Sequence, residues 1–485
     1  MQVFFSDGRK VGKAGEVVGH LSPEALAELF ERRRLPAGTP VVLDDAMRPV
    51  EPLTTWFRSL ALGGMRPRSL RVYAYTSLML LNFLRSRGLE LATATEADIQ
   101  EFRLWRLQDA ATTVDEVTWD KDGAVIGALY DHLASSGVVE GRPWRSTRRG
   151  RSLSSGTERD LRVRHMTLEQ YLFFRDVGFG GLGTEAEVDA GFRGWWPHRN
   201  RAAVELALLT GMRIQEWSTL LMLEVEQLSG RGGSAQIELG ACAKGGRARS
   251  VYVPGDAMAM LESFLLLERP EIVARAQRSL RRARRDLFVV TAVEAGGARV
   301  RGVFDGVPVS RPVKQIPPEV RRLMVIETGD GLDPAAVFLG WGGRMLTAGG
   351  WDRVRWRAWE RLQGHAADSG APVSPRRCWV YHDLRHTFAL RLLIYLTREA
   401  LRDAAEQRLP TSSLLDHMTG NPLLVVQRRL GHAQPATTYR YIRYLKDPMR
   451  EVDEAFRAWS AEGGASYAQI ARRLLELEDA DAAAR

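Results

Sequence analysis

Apolar positions along the chain follow two rhythms. From about residue 65 to 140 they recur every three or four residues: "SLRVYAYTSLMLLNFLRSRG" predicts a helix that stops at Gly88, and "TEADIQEFRLWRLQ" sets Ile99, Phe102 and Trp105 on one face. Upstream, Ser22 followed by Pro23 and Glu24 predicts a short helix with Ser22 as N-cap. Alternation replaces this rhythm in "SAQIELGACAKGGRARSVYVP" and again in "LFVVTAVEAGGARVRGVFDGVPV", where short strands are expected. Between the two rhythms, "VELALLTGMRIQEWSTLLMLEV" reads as a helix that breaks at Gly211 and resumes with Arg213, so that Arg213, Glu216, Trp217 and Leu220 share a face. Near the end, "NPLLVVQRRLGH" predicts a short helix capped by Asn421 and Pro422, burying Leu423, Val426 and Leu430 and ended by Gly431. No repeat of fixed period is visible.

These patterns divide the chain. Residues 1–60 have no role legible in their pattern, 61–140 form a small helical domain, and 141–165 are an Arg-, Ser- and Gly-rich connector. Residues 166–459 make a larger mixed domain, and 460–485 a C-terminal helix or tail. The connector's arginines suit a solvated spacer or a strap along phosphates equally well. The expected class is mainly α with a small β-sheet or hairpin.

Charge narrows the partners. Among 485 residues, 68 Lys+Arg against 59 Asp+Glu give a net +9 and a pI near 9.7, favouring a polyanion: nucleic acid first, a membrane surface second. No apolar run approaches the roughly 18 residues of a membrane span, and "MQVFFSDGRKVGK" lacks a signal-peptide core, so a soluble, cytoplasmic protein is expected. Cys242 and Cys378 stand far apart, supporting neither a disulfide framework nor a zinc site.

Reactive residue types gather late in the chain. In "WVYHDLRHTFALRLL", His382, Arg385 and His386 lie three and four residues apart, on adjoining helix faces. Paired histidines at this spacing can bind zinc, but the glutamate of an HExxH site is missing. In "LGHAQPATTYRYIRYL", three tyrosines closely follow Gly431 and His432.

Together "TGMRIQE", "AKGGRARSVYVP", "HDLRHTF" and "LGHAQPATTYRY" resemble the tyrosine recombinases, the lambda-type integrases, in content and in order. The resemblance covers about residues 166–445, and the preceding helical region is similar in kind to the family's core-binding domain. It implies a C-shaped clamp on double-stranded DNA, a homotetramer on two DNA sites, and neither metal nor other cofactor. Carried over by position, it implies Arg213 and Arg385 as the arginine pair, Lys244 as the hairpin lysine, His382 and His432 as the histidines, and Tyr441 as nucleophile. Tyr441 lies 441 − 432 = 9 residues beyond His432, the family's register, whereas Tyr439 and Tyr444 fall off it. The intervals from Lys244 to His382 (382 − 244 = 138) and from Arg385 to His432 (432 − 385 = 47) are long for the family.

The implied chemistry accounts for the residue types. Two guanidiniums would offset charge building on a phosphorane. A tyrosine of ordinary pKa about 10 needs help to attack, a role expected of His382. Lys244 would protonate the departing 5′ oxygen, and His432 would hydrogen-bond the phosphate. A type IB topoisomerase uses a similar set on one duplex, a non-catalytic DNA-binding protein could keep the same fold, and a basic RNA-binding or scaffold protein predicts no such order.

Overall fold

A computed structural model describes residues 1–6, 38–109, 113–147, 163–225, 235–243, 246–368, 371–373, 377–407, 421–439 and Tyr441, with a few isolated positions between. Ser22, Lys244, Tyr444 and the segment 460–485 lie outside the described residues. The chain forms two compact units that divide between Asp160 and Leu161, within the Arg-rich stretch. Both are mainly helical, with small sheets.

In the first unit, β1 (Gln2–Phe5) pairs antiparallel with β2 (Pro40–Leu43) beside helices α1 (Glu51–Leu62), α2 (Pro67–Arg85), α3 (Glu96–Leu104) and α4 (Glu116–Ser135). Local chemistry sets the helix ends. Thr95 and Asp98 form a reciprocal capping box at α3, Asp115 caps α4, and Gly88 turns the chain after α2 with φ +70°. Ile99 and Phe102 are fully buried, and Trp105 packs half-buried against Phe83 and Phe102, as their spacing predicts. Part of the Arg-rich stretch belongs to this core. Trp144 lies edge-on to Tyr130, and buried Trp119 donates its indole N–H to Leu153 O at 2.7 Å.

The second unit begins with α5 (Leu168–Leu172), which runs into a π-helical turn at Phe173–Phe179. There follow α6 (Pro197–Thr210), α7 (Ile214–Ser218) and an antiparallel hairpin of β3 (Ala235–Leu239) and β4 (Arg249–Val253). After α8 (Gly255–Leu267) and α9 (Arg269–Arg282) comes a second sheet: β5 (Phe288–Val293), β6 (Arg299–Phe304), β7 (Val307–Pro312), β8 (Met324–Thr328) and β9 (Gly331–Pro334). Its spatial order is β9-β8-β5-β6-β7, parallel only between β8 and β5. This sheet lies within the long interval between the hairpin and His382. Helices α10 (Ala348–Gly364), α11 (Tyr381–Gln407), α12 (Pro422–Leu430) and α13 (Pro435–Tyr439) complete the unit. Among the described residues, no helix is long and apolar enough to cross a membrane.

An aromatic cluster lies beneath the segments that carry the chemistry. Trp217 of α7 meets Trp351 of α10 edge-to-face at 4.8 Å and Tyr381 of α11 at 5.3 Å, all three buried. Arg321 joins the inserted sheet to this framework. Fully buried, it holds both carboxylate oxygens of Glu224 at 2.8 Å and the carbonyls of Thr219, Val313 and Ile316. Removing one partner of such a pair leaves the other charge uncompensated. Arg321→Ala should therefore lower unfolding stability by about 3–5 kcal/mol, read as a lower urea midpoint. An unchanged midpoint would mean that Glu224 finds another partner.

Candidate active site

Four separate segments of the second unit converge on Arg385. Its guanidinium is 2% exposed and donates to Gly211 O, at the end of α6, and to Leu430 O, the last residue of α12, the latter at 2.5 Å. Both acceptors are orphan carbonyls at helix C-termini, where the helix dipole favours a cation. Both helices end on glycine in the left-handed region, Gly211 at φ +62° and Gly431 at φ +64°. A Cβ on Gly211 would lie 2.4 Å from the Phe388 ring, and one on Gly431 2.7 Å from Arg249 Cδ. The glycines of "TGMR" and "LGH" thus supply both the turn and the close approach.

Arg213 caps α7 and does not lie within it, contrary to the expectation of a shared helix face. Its backbone N–H donates to Glu216 Oε2 at 2.8 Å, and its guanidinium reaches Glu216 Oε1 at 3.2 Å. Glu216 is fully buried and also accepts two parallel hydrogen bonds from Arg249 of β4, at 2.7 and 2.8 Å. Burial would push the Glu216 carboxyl up, but the hydrogen bonds and charge of Arg249, with those of Arg213, hold it below the usual range. One carboxylate against Arg213, Arg249 and Arg385 leaves a local excess of positive charge suited to an anion.

Tyr441 is buried at 2% exposure, and its hydroxyl lies 2.9 Å from Nδ1 of His386. With the imidazole proton on Nε2, the hydroxyl donates to Nδ1. His432 stacks parallel to the Tyr441 ring at 6.2 Å, and its Nδ1 lies 2.9 Å from Thr438 Oγ1. His382 is exposed, with its ring edge-on to His386 at 4.5 Å. The contact expected of His382 is therefore made by His386, one helical turn further on. Tyr439 is 51% exposed and stands apart from this arrangement.

Burial pushes the Tyr441 hydroxyl above its ordinary pKa, while Arg385 and Arg213 oppose that shift. Burial and neighbouring cations lower His386 to about 3, and burial with Arg385 and Arg213 does the same to His432. Burial, reinforced by Arg213, lowers Arg385 to about 9. The positively charged groups of the cluster thus repel one another.

Lys244 lies outside the described residues, but the chain leading to it is held from two sides. Ala241 N donates to Lys314 O at 2.7 Å, and Cys242 O accepts from Gln215 Nε2 at 3.2 Å. The structure thus brings together Arg213, Arg385, His432 and Tyr441, with His382 at the edge. Sequence reading passed over Arg249, and weighed His386 only as a metal ligand. Its place four residues after His382 was the available signal. Among the described residues, no group of three or more His, Cys, Asp or Glu side chains is placed to hold a metal ion.

No family model and no curated protein matches the chain. Solved structures do. The chain is similar to XerH site-specific recombinase bound to palindromic difH substrate, at 15% identity and TM-score 0.46, covering 84% of this chain and 83% of that one. It is similar to the Tn1549 transposon integrase in complex with circular intermediate DNA, at 14% identity and TM-score 0.39, covering 86% and 92%. Against XerA recombinase the values are 14%, 0.29, 86% and 99%.

The two lowered histidines give stability a pH dependence. The unfolded chain protonates each near 6.5, whereas the folded cluster resists protonation down to about 3. The stabilisation is complete above 6.5 and is lost as pH falls toward 3. At about pH 5 each ring should cost up to about 2 kcal/mol, lowering the thermal midpoint relative to about pH 7. The fall should shrink in His386→Asn, and an identical profile in that variant would remove His386 as its source.

Proposed function

We propose that the protein is a tyrosine-type site-specific DNA recombinase, or integrase, that cleaves and rejoins DNA strands through a covalent 3′-phosphotyrosyl intermediate, using neither metal nor ATP. The observation that carries this reading is the pairing of the Tyr441 hydroxyl with His386 beside the buried Arg385. A tyrosine hydroxyl, an imidazole nitrogen facing it and two nearby guanidiniums are the groups that attack, proton acceptance and phosphate binding would need.

In this reading a DNA phosphate enters between Arg213, Arg385 and His432. Its charge relieves the repulsion among the cations and raises the affinity of His386 for a proton. The Tyr441 oxygen attacks phosphorus as its proton passes to His386 Nδ1, and the bond from phosphorus to the 5′ oxygen breaks. Lys244 donates a proton to that oxygen, leaving a free 5′-hydroxyl and a 3′-phosphotyrosyl linkage. Attack by the 5′-hydroxyl of another strand reverses the steps and releases Tyr441, so the energy of the broken bond is kept. Glu216 positions Arg213 and does not touch the phosphate. Pairing of two sites calls for several protomers, for which a homotetramer on two duplexes is the family's arrangement.

Tyr441→Phe should bind DNA but form no covalent adduct on a nicked substrate resolved by denaturing gel, while Tyr439→Phe still forms it. The opposite result would shift the nucleophile by two residues and sever it from His386.

Lys244 has its own chemical test. Lys244→Ala should cleave ordinary DNA about 10²- to 10⁴-fold more slowly. It should recover on a substrate whose bridging 5′ oxygen is sulfur, because a thiolate leaves without a proton. Arg213→Ala should stay defective on both substrates, since its target is non-bridging charge. Without sulfur rescue, Lys244 is not the acid.

A further inference from the structure

The N-terminal end of α6, the helix whose other end presents Gly211 to Arg385, borders a second concave surface. Fourteen residues of α6 separate them, about 21 Å along the helix axis. The cavity there measures about 830 Å³. Among the described residues its lining contains Arg193, Arg199, Arg353, Arg357 and Arg361 and no carboxylate. Arg199 is 3% exposed; its guanidinium donates to Asn200 Oδ1 and Leu339 O and lies 5.5 Å over the Trp351 ring, and it has no ion pair among the described residues. The nearby carboxylate of Glu268 is occupied by the backbone N–H groups of His198 and Arg199. Arg353 and Arg357 are exposed and have no acidic partner among the described residues. Arg361 is neutralised by Asp189.

Two large aromatic faces stand at the mouth. Trp195 is 51% and Trp341 71% exposed, and their rings meet edge-to-face at 5.0 Å, forming a corner. Trp341 begins a turn seated on α9, where Ser279 Oγ donates to Gly342 O at 3.1 Å. Arg275 of α9 lies 5.7 Å over the Trp196 ring. The outer face of α9 and the turn after it carry Arg278, Arg281, Arg282 and Arg285, all exposed and without ion pairs among the described residues. The basic track therefore leads to the tryptophan corner.

We infer that this surface is a second nucleic-acid site, specific for a single strand: an unstacked base packs on Trp195 and Trp341 while its phosphates follow Arg353, Arg357 and the α9 arginines. Indole faces bind bases irrespective of sequence, and a line of guanidiniums matches a polymer whose charge repeats. A small anion would need only the cavity, and an apolar peptide would leave the arginine track unused. Duplex DNA hides its base faces in the stack and gains nothing from the exposed rings. The site lies at the end of α6 opposite to Gly211 and Arg385. It goes beyond the proposed strand-transfer chemistry and does not depend on it. A strand displaced during DNA opening is one that such a surface would hold.

The test uses the full chain and a labelled oligothymidylate about 15 nucleotides long, with fluorescence anisotropy as the readout. The unmutated protein should bind it, and the double variant W195A/W341A should bind about tenfold or more weakly, with affinity for a duplex of equal length changed by less than about twofold. Arg353→Glu should weaken single-strand binding as well. Thermal midpoints equal to the unmutated chain's would certify folding of these surface variants. The inference is overturned by absence of oligothymidylate binding or by equal losses on single strand and duplex. It is also overturned if thymidine monophosphate competes as well as the oligonucleotide, which assigns the cavity to free nucleotides. A peptide of residues 466–485 displacing the oligonucleotide at lower concentration would assign the surface to protein docking. Covalent adduct formation by Tyr441 is a separate readout, so failure here leaves the proposed reaction standing.

Discussion

A buried guanidinium held by two helix ends organises the second unit. Arg385 is too deep to be hydrated, and its charge is tolerable because two C-terminal carbonyls, Gly211 O and Leu430 O, converge on it. That requirement sets where α6 and α12 stop and how they approach α11. It also explains why each ends on a left-handed glycine, since a side chain at either position would strike Phe388 or Arg249. Arg213, two residues beyond Gly211, and His432, one residue beyond Gly431, reach the same pocket because the turns that cap the helices deliver them.

Charge in the pocket is balanced short of neutrality. Glu216 fixes Arg213 and Arg249 by hydrogen bonds while offsetting one positive charge. Burial first, with Arg385 adding to it, depresses the protonation of His386 and His432, and Arg213 and Arg249 add to the effect at His432. In the proposed reaction a phosphate entering between these guanidiniums would offset their repulsion and raise the affinity of His386 for a proton. The same logic applies, in milder form, to the arginine-lined cavity at the far end of α6, where exposed indoles replace the tyrosine.

Much of the local architecture was legible in the pattern of residues. Ile99 and Phe102 follow their helical spacing into the core, and Asn421, Pro422 and Gly431 bound α12 where capping chemistry places them. The alternating segments did become a hairpin and a sheet. Two departures have clear causes. Arg213 sits at the N-cap because Gly211 at φ +62° reverses the chain, so the resumed helix starts one residue later. Trp144 and Leu153, within a stretch whose composition reads as a spacer, pack into the first unit because aromatic burial outweighs a polar neighbourhood.

The sequence by itself determined the reactive residue types and their order, because Arg, His and Tyr at fixed offsets from helix-ending glycines are local facts. It also determined the excess of positive charge, which is a sum over residues. Only the tertiary structure decided that His386 faces Tyr441. That choice depends on how α11 is rotated against α12, and rotation is set by packing of Leu390, Leu393, Val426 and Leu430 across the two helices. The inclusion of Arg249 was likewise a tertiary decision. It lies on a strand 249 − 216 = 33 residues from Glu216, and no periodicity links a strand to a helix cap until the fold closes around the carboxylate they share.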